Sequence, residues 1–199
     1  MAGIYIHIPF CKKLCSYCDF YHIVTQSETK SFTDALIREA SGRREYLGKE
    51  TVSTIYIGGG TPSVLSTEEV KTILDSIGKL YIVDENPEIT IELNPDDADE
   101  NYLRGLKDTP VNRISLGIQS WRDSDLRLMN RRHNAAQAAD ALENTLKAGF
   151  TNVTIDLIYG IPGMATADWS SNLDISFSYG IKHFSAYHLT IEPGTVLEK

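Results

Sequence analysis

Hydrophobic and polar positions along the chain follow one pattern that repeats several times: a short apolar run, a polar loop, then an amphipathic stretch. The apolar runs are rich in Ile, Val, Tyr and Thr, and several are apolar enough for strands buried on both faces. We predict strands over residues 3–8, 53–57, 88–93, 113–118, 152–158 and 182–188.

The intervening stretches predict helices, because apolar residues recur every three or four positions between residues that favour helix ends. Ser66 and Glu69 have the spacing of a capping box, and Asn134 and Gly149 are residue types that begin and end helices. The predicted helices run over 31–47, from Ser66 onward, over 99–108, over 134–149 and from Thr166 onward.

Six strands alternating with helices predict right-handed βαβ units, a parallel sheet and an α/β fold in a single domain. Six units are too few for a complete eight-stranded barrel. An open doubly wound sheet and an incomplete barrel both fit the periodicity, and the periodicity does not distinguish them.

Composition and charge narrow the class of protein. The chain has 199 residues, 42% of them hydrophobic, which excludes intrinsic disorder. With 19 Lys and Arg against 27 Asp and Glu, the net charge of −8 argues against nucleic acid as the main partner. No apolar run is long enough to span a membrane, and the first residues do not resemble a signal peptide, so we expect a cytoplasmic protein.

The three cysteines are Cys11, Cys15 and Cys18, and they lie within one loop. Three thiolates with this C-x₃-C-x₂-C spacing can hold three irons of a cubane cluster and leave the fourth iron open. A zinc site with His7, Asp19 or His22 as fourth ligand is an alternative, although structural zinc sites usually have two separated pairs of ligands. Inert thiols are the least favoured interpretation.

Polar and glycine-rich residues concentrate where the predicted strands end. They include the run Gly58-Gly-Gly-Thr-Pro62 and residues Glu92, Gln119 and Asp156, followed by residues 187–190 at the last strand. The carboxyl ends of parallel strands form the face where α/β proteins bind ligands. Carboxylates inside apolar runs are unusual, so Glu92 and Asp156 are candidate ligand-binding groups.

These residues resemble a known superfamily. The segment Cys11-Lys-Lys-Leu-Cys15-Ser-Tyr-Cys18 has the form of the radical S-adenosylmethionine (SAM) motif. Four further segments are similar to the oxygen-independent coproporphyrinogen III oxidase-like family, and within it to the haem chaperone (HemW) branch. They are Tyr5-Ile-His-Ile-Pro-Phe-Cys11, Gly58-Gly-Gly-Thr-Pro-Ser63, Leu116-Gly-Ile-Gln119 and Ile155-Asp-Leu-Ile-Tyr-Gly-Ile-Pro162.

The resemblance implies an incomplete (β/α)₆ barrel over residues 1–189, with residues 190–199 starting a connection to a further C-terminal domain. It implies a [4Fe-4S] cluster on Cys11, Cys15 and Cys18 and SAM on the open iron. The glycine run would lie by the methionine end of SAM, Arg131 would meet its carboxylate, and Gln119 and Asp156 would suit the ribose. The implied SAM contacts are Tyr5, Tyr17, Gly59, Gly60, Thr61, Glu92, Gln119, Arg131, Asp156 and Thr190.

The resemblance also implies a function. Phe20 stands where the oxidases carry a further cysteine, which favours a haem chaperone that binds haem and delivers it to client proteins. The haem-binding motif His-Asn-x-x-Tyr-Trp of that branch is absent, since His133-Asn134 continues Ala-Ala-Gln-Ala. The chain therefore resembles the N-terminal part of a longer protein, with apolar surface expected where another domain packs.

Three functions remain as alternatives. The first is the haem chaperone, whose partners would be SAM, haem or porphyrin, client proteins and an electron donor. The second is a coproporphyrinogen III oxidase of porphyrin biosynthesis, which acts by radical oxidative decarboxylation. The third is a zinc-stabilised binding module. Reductive cleavage of SAM to methionine and a 5′-deoxyadenosyl radical belongs to the chemistry of the first two families.

Overall fold

The six predicted strands pair side by side in the order in which they occur along the chain. The computed structural model describes residues 2–24 and 28–199. All neighbouring strands are parallel, and the order of the sheet is β1-β2-β3-β4-β5-β6. The strands are β1 (Ala2–Ile8), β2 (Val52–Gly59), β3 (Val83–Leu93), β4 (Arg113–Gln119), β5 (Val153–Tyr159) and β6 (His183–His188).

This strand order distinguishes the two architectures that the periodicity left open, and it agrees with the one that the resemblance implies. A doubly wound sheet reverses its strand order at a switch point, whereas here each strand lies beside its predecessor throughout. The strands follow one another as in a (β/α) barrel, with β1 and β6 as the two edges. The fold is therefore an incomplete (β/α)₆ barrel.

Helices follow five of the six strands, and two lie between β4 and β5. They are α1 (Thr29–Gly42), α2 (Thr67–Leu80), α3 (Glu100–Lys107), α4 (Asp123–Leu128), α5 (Ala135–Lys147) and α6 (Thr166–Ser178). Short 3₁₀ turns cover Pro62–Val64, Pro95–Asp97 and Val196–Glu198.

The predicted helix caps are present in the structure. The Ser66 hydroxyl accepts a hydrogen bond from the Glu69 backbone N–H, and the Glu69 side chain accepts one from the Ser66 backbone. Asn134 caps α5 in the same reciprocal way with Gln137. Gly149 has φ +87°, the left-handed conformation with which many helices end.

The main differences from the sequence prediction are two shifted boundaries and one additional helix. Helix α1 ends at Gly42 rather than at residue 47, because glycine favours helix ends and residues 43–49 form turns. Strand β3 begins at Val83, five residues before its apolar run, because Val83 pairs with Val52 at the amino ends of β3 and β2. The short helix α4 was not predicted, since one and a half turns carry too little periodicity.

The main core lies between the sheet and the helices. Strand β4 is its centre, and residues Ile114 to Ile118 are buried on both faces. Strand β6 is the exception: four of its six residues are exposed, including Tyr187 and His188. Within the described ranges, no helix combines the length and apolar character needed to cross a membrane.

Candidate cofactor-binding site

A cavity of about 560 Å³ opens at the carboxyl ends of the strands. The loops that follow the strands form its wall, as the concentration of polar residues at the strand ends predicts. All thirteen residues that the sequence analysis assigns to the cluster or to SAM line this one cavity: Tyr5, Cys11, Cys15, Tyr17, Cys18, Gly59, Gly60, Thr61, Glu92, Gln119, Arg131, Asp156 and Thr190.

The cysteine loop leaves β1 and returns beside it. The Ile23 N–H donates to the Pro9 carbonyl at 2.7 Å, and the Cys11 N–H donates to the Ile23 carbonyl at 3.0 Å. Farther along the loop, the Ser16 N–H and hydroxyl donate to the carbonyls of Met129 and Leu128, at 3.1 and 2.7 Å. These bonds hold the loop against the segment that follows α4, so that its three half-buried cysteines face the cavity.

The thiols have hydrogen-bond donors on the opposite wall. Thr61 Oγ1 lies 3.6 Å from Cys11 Sγ, and Arg131 Nη1 lies 3.4 Å from Cys15 Sγ. Burial raises the pKa of the Cys11 thiol and of the Cys18 thiol. A metal bound to the sulfurs would stabilise the ionised thiolates and offset this effect of burial.

The glycine run approaches the cysteine loop as closely as backbone can. Gly59 has φ +113°, a conformation that other residues rarely adopt. A Cβ atom at Gly60 would lie 2.8 Å from the Phe10 carbonyl oxygen and 2.9 Å from Cys11 Sγ. The glycines are thus required by the packing of this turn against the cysteine loop, and they leave backbone exposed to the cavity.

Two carboxylates stand inside the cavity wall, as predicted. Glu92 accepts hydrogen bonds from the Tyr56 hydroxyl at 2.7 Å and from the Gly59 N–H at 3.1 Å. Asp156 accepts one from the Ser115 hydroxyl at 3.2 Å. Burial raises the pKa of Glu92, and the charge of Asp156 raises it further. Burial likewise raises the pKa of Asp156, so hydrogen-bond donors of a ligand would stabilise the ionised form of either group.

Arg131 lies on the same wall and joins several elements. Its Nη2 donates to Asn94 Oδ1 at 2.5 Å and to the Gly117 carbonyl at 3.0 Å. Its Nε is buried without a hydrogen-bond partner among the described residues. Beside it, burial raises the pKa of Tyr17 to about 12, so this phenol stays neutral. A buried guanidinium with spare donor capacity suits a ligand carboxylate.

Gln119 ends β4 with φ +67°, a left-handed conformation that is uncommon for a residue with a side chain. This conformation coincides with an irregular register between β4 and β5. The neighbouring Gly117 has no Cβ, and one added there would lie 2.9 Å from Gln119 Nε2. The local backbone therefore turns the Gln119 amide toward the cavity.

Two of the three candidate fourth ligands of the zinc alternative, His7 and His22, make contacts elsewhere. Within residues 2–24 and 28–199, no three His, Cys, Asp or Glu side chains converge on a point that could hold a single metal ion. His7 bonds the Tyr5 hydroxyl at 3.0 Å, and His22 Nδ1 faces the Phe20 carbonyl at 2.6 Å. A cubane spreads its thiolates over three separate irons, which needs wider spacing than one ion does.

Sequence reasoning missed several residues that line the cavity or support its wall. Asn94 contacts Arg131, and Tyr56 contacts Glu92. Lys12, Ser63 and Arg132 meet at Asp97. Asn94 and Asp97 follow the end of β3, a position that could have marked them as candidate site residues. Their partners lie in distant segments of the chain, so the contacts themselves could not be predicted.

Comparisons with known proteins agree with this geometry. Residues 5–173 match the radical SAM superfamily. Heme chaperone HemW of Buchnera aphidicola is 37% identical over 98% of this chain and 52% of its own length, and that of Bacillus subtilis is 35% identical over the same shares. The structure of coproporphyrinogen III oxidase (HemN) from Escherichia coli, a radical SAM enzyme, superposes with TM-score 0.88 at 29% identity, covering 98% of this chain and 45% of that one. The chain spans about half the length of the curated relatives it matches.

Proposed function

Since the chain belongs to the radical SAM superfamily, whose cofactors are a [4Fe-4S] cluster and SAM, we propose that it forms the cofactor-binding part of a haem chaperone. The observation that supports this most directly is the single cavity at the strand ends. It joins the three cysteines to every residue that the superfamily motif assigns to SAM.

Cys11, Cys15 and Cys18 would ligate three irons of the cluster. Their half-buried positions, the Thr61 hydroxyl and the Arg131 guanidinium beside their sulfurs fit a group with negative charge on its thiolates. The backbone of the glycine run would close the cavity behind the cluster, because a Cβ at Gly60 would occupy space next to Cys11 Sγ.

SAM would lie across the carboxyl ends of the strands. Arg131 would bind its carboxylate with guanidinium donors that are buried and close to Cys15. Glu92 and Gly59 would bind its amino end, and Gln119 and Asp156 would bind the ribose hydroxyls. Tyr5, Tyr17, Thr61 and Thr190 line the same space and would complete the contacts.

When bound, the reduced cluster supplies the electron for reductive cleavage of SAM to methionine and a 5′-deoxyadenosyl radical. The chain's own residues orient SAM, exclude water from its charged end and keep Tyr17 neutral beside the thiolates. Whether the chaperone cleaves SAM productively is a property of the whole protein, to be measured by product formation.

The haem chaperone function rests on similarity to two relatives of that name, and on Phe20 in place of the additional cysteine of the oxidases. In this proposal the partners of the whole protein are haem or porphyrin, haem-receiving client proteins and an electron donor, in the cytoplasm. Residues 190–199 would connect the barrel to a further domain.

The structural similarity to the E. coli oxidase keeps one alternative, oxidative decarboxylation of coproporphyrinogen III. The two functions are distinguished by incubating the reconstituted whole protein with coproporphyrinogen III, SAM and a reductant. Formation of 5′-deoxyadenosine together with decarboxylated porphyrin would identify the oxidase, whereas transfer of bound haem to an apo-haemoprotein without turnover would identify the chaperone.

The site itself is tested by electron paramagnetic resonance of the anaerobically reconstituted, reduced chain. We expect a [4Fe-4S]⁺ signal that changes when SAM is added, and its loss in Cys15→Ala. A signal that does not respond to SAM would contradict the SAM contacts. Absence of any cluster after reconstitution, with tightly bound zinc instead, would support the zinc-stabilised module.

A further inference from the structure

A buried carboxylate lies where three loops of the site meet. Asp97 belongs to the 3₁₀ turn Pro95–Asp97 after β3, and its side chain is 2% exposed. Its Oδ1 accepts from Lys12 Nζ at 2.6 Å and from Arg132 Nη2 at 2.8 Å. Its Oδ2 accepts from the Ser63 hydroxyl at 2.8 Å. Both oxygens are therefore used, and all three partners come from other segments.

Each partner belongs to a segment that carries the cofactor site. Lys12 lies inside the cysteine motif, directly after Cys11. Ser63 follows the glycine run, and Arg132 follows Arg131, which contacts Cys15. Asp97 lies outside the set of cavity-lining residues. Its three partners also lie outside that set, but each is the chain neighbour of a residue that lines the cavity: Cys11, Pro62 and Arg131.

A second set of hydrogen bonds closes the connection. The Ser63 hydroxyl, which donates to Asp97, accepts from the Asn94 N–H at 3.3 Å. Asn94 Oδ1 accepts from Arg131 Nη2, and Arg131 Nη1 reaches Cys15 Sγ. The network thus runs from Lys12, on one side of the cysteine loop, to Cys15 on the other.

The charges make this network sensitive to Asp97. One buried carboxylate faces two cations, and Arg132 also pairs with Asp96 at the edge of the same turn. Hydrogen bonds between ionised groups in a buried setting are stronger than neutral ones, and losing one partner leaves the others without compensation. An uncharged group of the same shape at position 97 would keep the packing and weaken the hold on Lys12.

We propose that Asp97 is the positioning residue that joins the cysteine loop to the glycine turn and to Arg131, so that the loop is ordered before any cofactor binds. The inference rests on the proposed function in one respect, that the ordered loop receives a cluster. The ordering itself is a property of the cofactor-free chain.

The test is hydrogen exchange of the cofactor-free chain, read at the Cys11 and Ile23 amides that close the loop. We expect both amides to exchange about tenfold faster in Asp97→Asn and in Lys12→Gln. Lys12→Gln changes a partly exposed side chain, so it keeps the test valid if Asp97→Asn folds poorly.

Arg113→Gln is the control. Arg113 is a largely buried cation at the amino end of β4, away from the cysteine loop, and it donates to Thr154 Oγ1 at 2.6 Å and to Thr90 Oγ1 at 3.3 Å. Arg113→Gln should lower the free energy of unfolding and leave exchange at Cys11 and Ile23 unchanged. Unchanged exchange in both Asp97→Asn and Lys12→Gln, or equal acceleration in all three variants, would overturn the proposal.

A second measurement separates this inference from the proposed function. If the chain takes up a cluster, Asp97→Asn and Lys12→Gln should release iron to a chelator about tenfold faster than the unmodified chain and Arg113→Gln. Faster exchange in a chain that never takes up a cluster would refute the proposed cofactor and support the positioning role. If the chain takes up a cluster but Asp97→Asn and Lys12→Gln change neither exchange nor iron release, the proposed cofactor is supported and the positioning role is refuted.

Discussion

At the level of single residues, the buried carboxylates of the cavity cost stability and are candidates for ligand binding. Glu92 and Asp156 interrupt apolar strands, and burial raises the pKa of each because the ionised form loses water. Each retains hydrogen bonds from neighbouring groups. Such residues destabilise the cofactor-free fold at neutral pH and are explained by a ligand that uses them.

Glu92→Gln is therefore expected to stabilise the cofactor-free chain at pH 7 by about 1 kcal/mol. The folded state binds the Glu92 proton more tightly than the unfolded state does, so the unmodified chain loses stability as pH rises above the ordinary Glu pKa. The advantage of Glu92→Gln should shrink as pH falls toward 4.5. Urea unfolding at several pH values measures this.

The same variant should bind SAM about tenfold more weakly, measured by calorimetry on the reconstituted chain. Glu143→Gln, at an exposed ion pair on α5, is the control and should change neither quantity. Loss of stability at pH 7 together with unchanged SAM affinity would argue that Glu92 is a structural residue only.

His133 has the opposite dependence on pH. Burial, and then the charge of Arg131, lowers its pKa to about 4, and its Nε2 faces the Ile118 carbonyl at 3.1 Å. Between about pH 6.5 and 4 the unfolded state binds this proton and the folded state does not. The free energy of unfolding therefore decreases as the pH is lowered through this range, by up to about 3 kcal/mol. His133→Asn should remove this part of the acid sensitivity, and equal slopes in both proteins would contradict the assignment.

At the scale of the element, the site depends on one loop lying against another. The turn after β2 meets the cysteine loop after β1 because adjacent parallel strands end at the same edge. Gly60 lies at the contact, next to Phe10 and Cys11. The glycine is needed here for the absence of a side chain rather than for flexibility.

Gly60→Ala should displace the cysteine loop and reduce cluster incorporation several-fold, measured as bound iron per chain. Its Cβ would meet backbone and a ligand sulfur, neither of which can move freely. Gly78→Ala is the control, since nothing lies within 4 Å of a Cβ there in α2. It should stabilise the chain by up to about 1 kcal/mol and leave iron content unchanged. Equal iron content in both variants would contradict the packing argument.

At the scale of the whole molecule, the barrel is open and its last strand is poorly covered. Around the cavity mouth Tyr5, Phe20 and Tyr187 are 58%, 66% and 56% exposed. On the outer side Phe177 of α6 is 55% exposed and contacts Phe184 of β6. Exposed aromatic residues grouped in this way are typical of surfaces that another domain, ligand or protein covers.

The 199-residue chain should therefore bind a hydrophobic dye and associate as its concentration increases, measured by dye fluorescence and light scattering. Phe177→Ser should reduce both effects. Tyr46→Ser is the control: Tyr46 is exposed in the turns after α1, outside both groups of aromatic residues, and its substitution should reduce neither effect. Monomeric behaviour without dye binding would contradict the expectation of an uncovered apolar surface.

The amino-acid sequence alone predicted the strands, most helices, the cysteine loop and the residues around the cavity. It did so because these depend on local signals: apolar runs, caps and a motif whose three cysteines lie within eight residues. Parallel strands then bring their carboxyl ends together whatever the details of packing. The structure confirmed the half-barrel. The boundaries of α1 and β3 changed because a glycine ends the helix and because Val83 pairs with Val52 before the apolar run of β3 begins.

The exposure of β6 and the network around Asp97 became known from the tertiary structure. Lys12 and Asp97 are 85 residues apart in the chain, and Arg131 and Cys15 are 116 apart. No local pattern relates such pairs, because their contact depends on how every intervening strand and helix packs. The chemistry of the site could be predicted from adjacent residues, whereas the contacts that hold it in place could be found only from the fold.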